Sequence, residues 1–183
     1  SPDEVYGSTQ TGYFTETSPL NPSSPYAASK TSSDLVALAY YKTFGFPVRV
    51  TRCSNNYGPF QFPEKLIPLM INRALANQPL PVYGNGSNVR DWLHVTDHCR
   101  AIHAIMTSGS DGEIYNIGGH GERDNLAIVN TILSALNKPQ SLINFVADRL
   151  GHDWRYAIDY TKIKRDCNWS PSIDFEVGIQ QTI

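Results

Sequence analysis

Tyr26 and Lys30 stand four residues apart in the stretch SPYAASK, and Asp3 and Glu4 stand side by side in SPDEVYG. On a helix, a four-residue spacing puts both side chains on one face. A lysine ammonium there stabilises a phenolate and lowers its pKa. A phenol tuned in that way can take a proton from a substrate hydroxyl. Neither pair is decisive alone: most Y-x-x-x-K spacings are surface pairs without a task, and most adjacent acids are solvated loop. His94 and His98 are also four apart, in HVTDH. That segment lacks the Glu of H-E-x-x-H and begins as a strand, so no metal is expected between the two rings. His103 and His120 carry no signal.

For Tyr26 and Lys30 to act together, a helix must hold them. Ser24-Pro25 reads as an N-cap followed by proline at the first helical position, and Gly45 suits the opposite end. The helix is expected from Tyr26 to about Phe44, after a Ser-, Thr- and Pro-rich loop over 8–25. FPVRVTRCS, 46–54, reads as a buried strand, ended by turn residues from Asn55 to Pro59. Next come a helix over 63–76, a strand in LPVYGNG with a tight turn at Asn85-Gly86, and a strand in RDWLHV. A helix over 96–108 is begun by Thr96. GEIYNIGG and LINFV read as strands, and 125–137 and 161–168 as helices. FEVGIQQTI begins another. Helices alternating with strands imply an α/β fold. No internal repeat and no G-x-G-x-x-G fingerprint are present.

With 183 residues, the chain suffices for one domain or two small ones. A formal net charge of −2 gives no reason to expect nucleic acid or an anionic membrane surface as partner. No apolar run approaches the roughly 20 residues of a membrane-spanning helix. Cys53, Cys99 and Cys167 are widely spaced and odd in number, which points to reduced thiols and a cytoplasmic setting.

The order of these features resembles the extended short-chain dehydrogenase/reductase superfamily, and within it the dTDP-glucose 4,6-dehydratase family. The resemblance rests on DEVYG, SPYAASK, TRCSNNYGPFQFPEKLIPLMI, PLPVYGNG, RDWLHVTDH, EIYNIGG and DRLGHDWRYAID, and it covers essentially the whole chain. Epimerases and decarboxylases of the superfamily lack the adjacent Asp-Glu. The implied fold is a partial doubly wound Rossmann-like sheet with a smaller α/β substrate-binding domain. Residues 1–60 are the remnant of the NAD-binding part, and residues 61–183 mainly bind the sugar nucleotide. NAD lies across the strand ends in such folds.

The resemblance implies a use for the tandem acids. The family oxidises C4 of a nucleotide-linked glucose, eliminates water across C5 and C6, and returns the hydride to C6. Two neighbouring carboxyls can divide the proton transfers if their environments separate their pKa values. By resemblance Glu4 is the base and Asp3 the acid. Tyr26 takes the C4 hydroxyl proton, and Lys30 lowers the phenol's pKa and holds the nicotinamide ribose. Asn56 is a cofactor contact and Asn55 a hexose contact. The diphosphate needs cationic donors, which the resemblance assigns to Arg90, Arg149 and His152, with Asp148 beside them. Lys65, Leu66, Pro81, Tyr83 and Asn125 match the nucleotide and pocket lining.

The chain departs from the family pattern in three ways. Pro2 replaces a threonine whose hydroxyl helps position Tyr26 and the sugar, so restoring Thr is expected to raise turnover. Leu150 replaces the usual proline in the DRPGHD pattern. The family also begins with about a domain's worth of nucleotide-binding fold before this stretch. This chain alone is therefore expected to be inactive and to bind NAD weakly, with an open edge on the strand over 46–54. The superfamily's habit implies a homodimer through the Tyr26–Tyr41 helix. Two alternatives stay open: a dehydratase for another nucleotide sugar, and a catalytically dead nucleotide-sugar binding module.

Overall fold

Ser24 and Gly45 bracket the longest helix, α1, Pro25–Phe44, in a computed structural model that describes residues 1–183. Ser24 is extended, and its Oγ accepts the N–H of Ala27 at 3.1 Å. Gly45 takes the left-handed conformation, φ 65°, and donates its N–H to the Tyr41 carbonyl at 2.8 Å. A residue with a Cβ would be strained there. Both helix ends are where the capping residues place them.

Strand β1, Val50–Cys53, is shorter than expected. Residues 46–49 lie outside it, and Phe46 is exposed. β1 runs parallel to β5, Ile114–Ile117, in the register Val50↔Ile114 to Cys53↔Ile117. The expected open edge is partly filled. Pro2 bridges Cys53, and the Cys53 N–H donates to the Ser1 carbonyl at 3.0 Å.

Asn55–Tyr57, read as turn, forms strand β2 instead, parallel to Trp92–His94 of β4, Val89–His94. Pairing with a buried neighbour overrides the turn preference of Asn-Asn, and the turn begins at Gly58. The far side of β4 takes β6, Glu122–Asp124, antiparallel. Its polar sequence gave no strand signal. β3, Leu80–Tyr83, pairs in parallel with β7, Ile143–Val146. The Asn85-Gly86 turn is present, with the Gly86 N–H on the Tyr83 carbonyl at 3.0 Å. It joins strands of different sheets rather than closing a hairpin.

The remaining helices are α2, Leu66–Leu75; α3, Val95–Ser108; α4, Asn125–Ala135; α5, Thr161–Cys167; and α6, Phe175–Thr182. α2 starts after Pro63, not at it, and carries Pro68 in its first turn, where a missing N–H costs nothing. α3 is capped by His94, whose Nδ1 accepts the Thr96 N–H at 3.3 Å, and not by Thr96.

β4 divides the interior because its successive side chains point to opposite faces. Trp92 joins a core in which Ile67 and Met70 of α2 meet Ile128 and Ile132 of α4. Leu93 joins a second core with Ala101, Ile105, Tyr115, Ile117 and Trp169. α1 belongs to neither, and only its Ala27 and Asp34 are buried. No helix is long and apolar enough to cross a membrane.

Candidate active site

The start of β2, the 3-10 turn Asp3–Tyr6 and the first turn of α1 meet at one cleft of about 500 Å³. Glu4 and Tyr26 both line it, with Asn55, Lys65 and Arg90. Tyr26 is 55% exposed and open to a ligand. Asp3 sits behind Glu4, only 2% exposed, and its Oδ2 has no hydrogen-bond partner. Pro2 enters the turn at φ −78° and offers no side-chain cap.

The two acids differ in environment. Burial holds the Asp3 carboxyl well above its usual range, and the charges of Asp91 and Glu4 add to this. Burial also raises Glu4 above its usual range and Asp153 adds to this, while Arg90, Arg149 and Lys65 oppose the rise in part. Burial raises the Tyr26 phenol, as do Glu4 and Cys53. The expected lowering by Lys30 is not realised. Its Nζ lies 5.5 Å from the centroid of the Tyr26 ring, over the face rather than at the hydroxyl. Lys30 does not line the cleft.

An adjoining hollow of about 310 Å³ shares Asn55, Lys65, Arg90, Arg149 and His152 with this cleft. Leu66, Pro81, Tyr83 and Asn125 also line it, with Glu64, Leu69, Met70 and Trp92. Arg149 stacks on Tyr83, with its guanidinium 5.1 Å from the ring centroid. Its Nη2 lies 3.0 Å from His152 Nε2, and His152 Nδ1 lies 2.6 Å from Asp148 Oδ1. A guanidinium only donates, so Nε2 accepts and Nδ1–H donates to Asp148. The His152 bond and the Arg149 backbone N–H hold the Asp148 carboxyl below its usual range. Asp148 lines neither hollow; it orients His152 from outside.

Arg90 is anchored rather than free. Its Nη1 donates to the Val89 carbonyl at 2.7 Å, its Nη2 to the Asp153 carbonyl at 3.0 Å, and its guanidinium stacks 4.3 Å from the Tyr156 ring centroid. Asn56 is not part of the cleft. It lines a separate hollow of about 110 Å³ with Tyr57 and Val95, and its Nδ2 donates to the Ser54 carbonyl at 3.1 Å. Its Oδ1 is buried without a partner.

Sequence reasoning missed Ser24, Asp153 and Tyr156 as lining residues. Ser24 was assigned only its capping role. Tyr156 donates to Asp153 Oδ2 at 2.6 Å, and Ser23 Oγ donates to the same oxygen. Asp153 thus ties the loop carrying Arg149 and His152 to the start of α1. Both residues lie in the quoted DRLGHDWRYAID stretch, which was the available signal. Cys53, Cys99 and Cys167 are free thiols.

Residues 1–182 match the family model described as GDP-mannose 4,6 dehydratase. The chain belongs to that family. Among its relatives, a dTDP-glucose 4,6-dehydratase from Actinoplanes sp. is 55% identical over the whole chain, which covers 57% of that protein. A crystal structure of dTDP-glucose 4,6-dehydratase from Bacillus anthracis str. Ames in complex with NAD is 56% identical, with a TM-score of 0.95. All of this chain and 58% of that one are covered. A double mutant of the Streptomyces venezuelae dTDP-glucose 4,6-dehydratase with NAD bound is 50% identical, with a TM-score of 0.98, and 56% of it is covered. The chain therefore has the mixed α/β fold with parallel sheets of this family, and spans about half the length of the curated relatives it matches.

Proposed function

We propose that the chain is the substrate-binding part of a longer dTDP-glucose 4,6-dehydratase, an NAD-dependent lyase. The reaction oxidises C4 of the hexose, eliminates water across C5 and C6, and delivers hydride to C6. The observation that carries this reading is that Glu4 and Tyr26 line one cleft with Lys65, Arg90, Arg149 and His152. A phenol and a carboxylate thus face a space flanked by diphosphate-binding groups.

Tyr26 takes the C4 hydroxyl proton. Glu4, whose rise by burial is opposed by the cations Arg90, Arg149 and Lys65, takes the C5 proton. Asp3, neutral because it is buried, hands its proton to the departing C6 hydroxyl. Asn55 contacts the hexose, and Arg90, Arg149 and His152 the diphosphate. Lys65, Leu66, Pro81, Tyr83 and Asn125 surround the base and ribose. The residues present fit a nicotinamide: Tyr26 is open beside the Lys30 ammonium, and the buried Asn56 Oδ1 lacks a partner. When bound, an oxidised nicotinamide would supply the hydride acceptor for C4, with Tyr26 and Lys30 the residues that would hold it beside the cleft.

We further propose that residues 1–60 complete the cofactor domain while residues 61–183 mainly bind substrate, with β5 returning to pair with β1. The exposed face of α1 suits a homodimer, and the free thiols suit the cytoplasm. One observation favours a second reading, a nucleotide-sugar binding module without turnover: Pro2 stands where a hydroxyl is expected. The test is an assay of the longer protein with dTDP-glucose, UDP-glucose or GDP-mannose, following 4-keto product by mass. Product from dTDP-glucose at the highest kcat/KM supports the proposal. Product chiefly from another sugar nucleotide changes the substrate, and tight binding of dTDP-glucose with no product supports the binding module.

A further inference from the structure

Asp91 follows the anchored Arg90 on β4 and is 1% exposed. Its Oδ2 accepts from Ser54 Oγ at 2.6 Å and from the Gly119 N–H at 2.8 Å, and its Oδ1 accepts from the Gly121 N–H at 2.7 Å. The two glycines bring their N–H groups in by lying directly on β4. A Cβ on Gly119 would meet the Trp92 carbonyl oxygen at 2.2 Å, and one on Gly121 would meet it at 2.7 Å. A hydroxyl can rotate, but a backbone N–H can only donate. Both oxygens of Asp91 are therefore committed as acceptors, which favours the anion.

Asp3 has the opposite surroundings. Pro2 pairs with Cys53, so Asp3 and Ser54 follow that pair on adjacent segments, and the Ser54 hydroxyl reaches on to Asp91. Asp3 is also buried, yet its Oδ2 meets no donor. With three donors on Asp91 and one Asp3 oxygen left unpartnered, the anion is better held on Asp91 and the proton on Asp3.

We propose that Asp91 is a positioning residue whose fixed negative charge keeps Asp3 protonated, an inference that rests on the reading of Asp3 as the acid. The neighbours divide by sign. Glu4 acts on Asp3 in the same direction as Asp91, and Arg90 opposes both. The guanidinium of Arg90 is turned onto the carbonyls of Val89 and Asp153, which limits its effect. The Cys53 thiol beside Asp3 is itself raised by burial to about 11 and stays neutral. On the far side of Asp91, His120 favours its anion. Arg155 and Tyr13 also face it, and Arg155 is held by Glu122 in a two-pronged pair at 2.6 and 2.8 Å. Burial leaves the Asp91 carboxyl above its usual range, and the three hydrogen bonds together with His120 limit that rise.

The test is a titration of the longer protein labelled with carboxyl-13C aspartate, with the Asp3 resonance assigned through Asp3→Asn. In Asp91→Asn the midpoint of Asp3 is expected to fall by about one pH unit, roughly tenfold in its proton affinity. Should that variant not fold, Ser54→Ala removes one donor and makes Asp91 a poorer anion, and the Asp3 midpoint falls by a smaller amount. An Asp3 midpoint unchanged in the folded variant overturns the proposal, whatever happens to turnover. The pH profile of product formation separates this from the reading beneath it. If Asp3 is the acid, the alkaline limb moves down in pH with its midpoint. A midpoint that moves while the alkaline limb stays supports Asp91 as the control on Asp3 and removes Asp3 from the role of acid.

Discussion

Helices α1 and α4 flank the same cleft system but are held by different forces. α4 has 11 residues, and Ile128, Val129, Ile132 and Leu133 are buried against α2 and β3. α1 has 20 residues, with Leu35, Val36, Tyr40 and Phe44 facing outward. What fixes α1 is polar. Arg52, fully buried on β1, holds Asp34 at 2.8 Å and the Tyr6 hydroxyl at 2.9 Å. Tyr6 donates on to Asn116 of β5 at 2.8 Å, and Ser1 Oγ donates to Asp34 at 2.6 Å. One network thus ties the Tyr26 helix to the turn that carries Asp3 and Glu4. Apolar packing tolerates small slides, whereas a closed set of charged hydrogen bonds fixes position and angle. The α4 side is built by burial and the α1 side by directional bonds.

Breaking the polar anchor is expected to have the largest effect. Arg52→Ala leaves Asp34 buried without its counter-charge, which costs about 3–5 kcal/mol in denaturant unfolding. Turnover of the longer protein should fall further than the folded fraction does, because Tyr26 loses its position relative to Glu4. Ile132→Ala, in the apolar core, should cost about 2–4 kcal/mol and raise KM more than it lowers kcat. Equal kcat losses in the two variants at matched stability would erase the contrast between the regions. Phe44→Ser, on the open face of α1, should change unfolding by less than about 0.5 kcal/mol. The same change should lower the apparent mass in sedimentation if that face joins two copies. A large loss of stability at low protein concentration would mean that α1 is packed within its own chain.

The sequence made α1 legible because its ends are local chemistry: Ser24 caps through its own hydroxyl, and Gly45 supplies its own left-handed turn. β2 and β6 were not legible, because Asn55–Tyr57 and Glu122–Asp124 are strands only through pairing with β4. The helix pattern also gave no hint that Lys30 would lie over the Tyr26 ring rather than at its hydroxyl. The family resemblance implied one site for Glu4, Tyr26, Arg90, Arg149 and His152, and the structure lines one cleft with them. It did not separate the buried Asp3 from the cleft-lining Glu4, a difference of one residue along the turn. Nor did it find Asp153, whose link to Ser23 exists only across the folded chain.

The central claim is that Tyr26 and Glu4 take different protons from one hexose in one cleft. The direct test is single-turnover kinetics of the longer protein with dTDP-glucose in deuterated water, following reduced cofactor by absorbance and deuterium in the product by mass. With Glu4→Gln, C4 oxidation should persist and reduced cofactor accumulate, while elimination slows by roughly 100-fold or more. With Tyr26→Phe, the oxidation itself should fail. Elimination at the unmodified rate in Glu4→Gln would contradict the account.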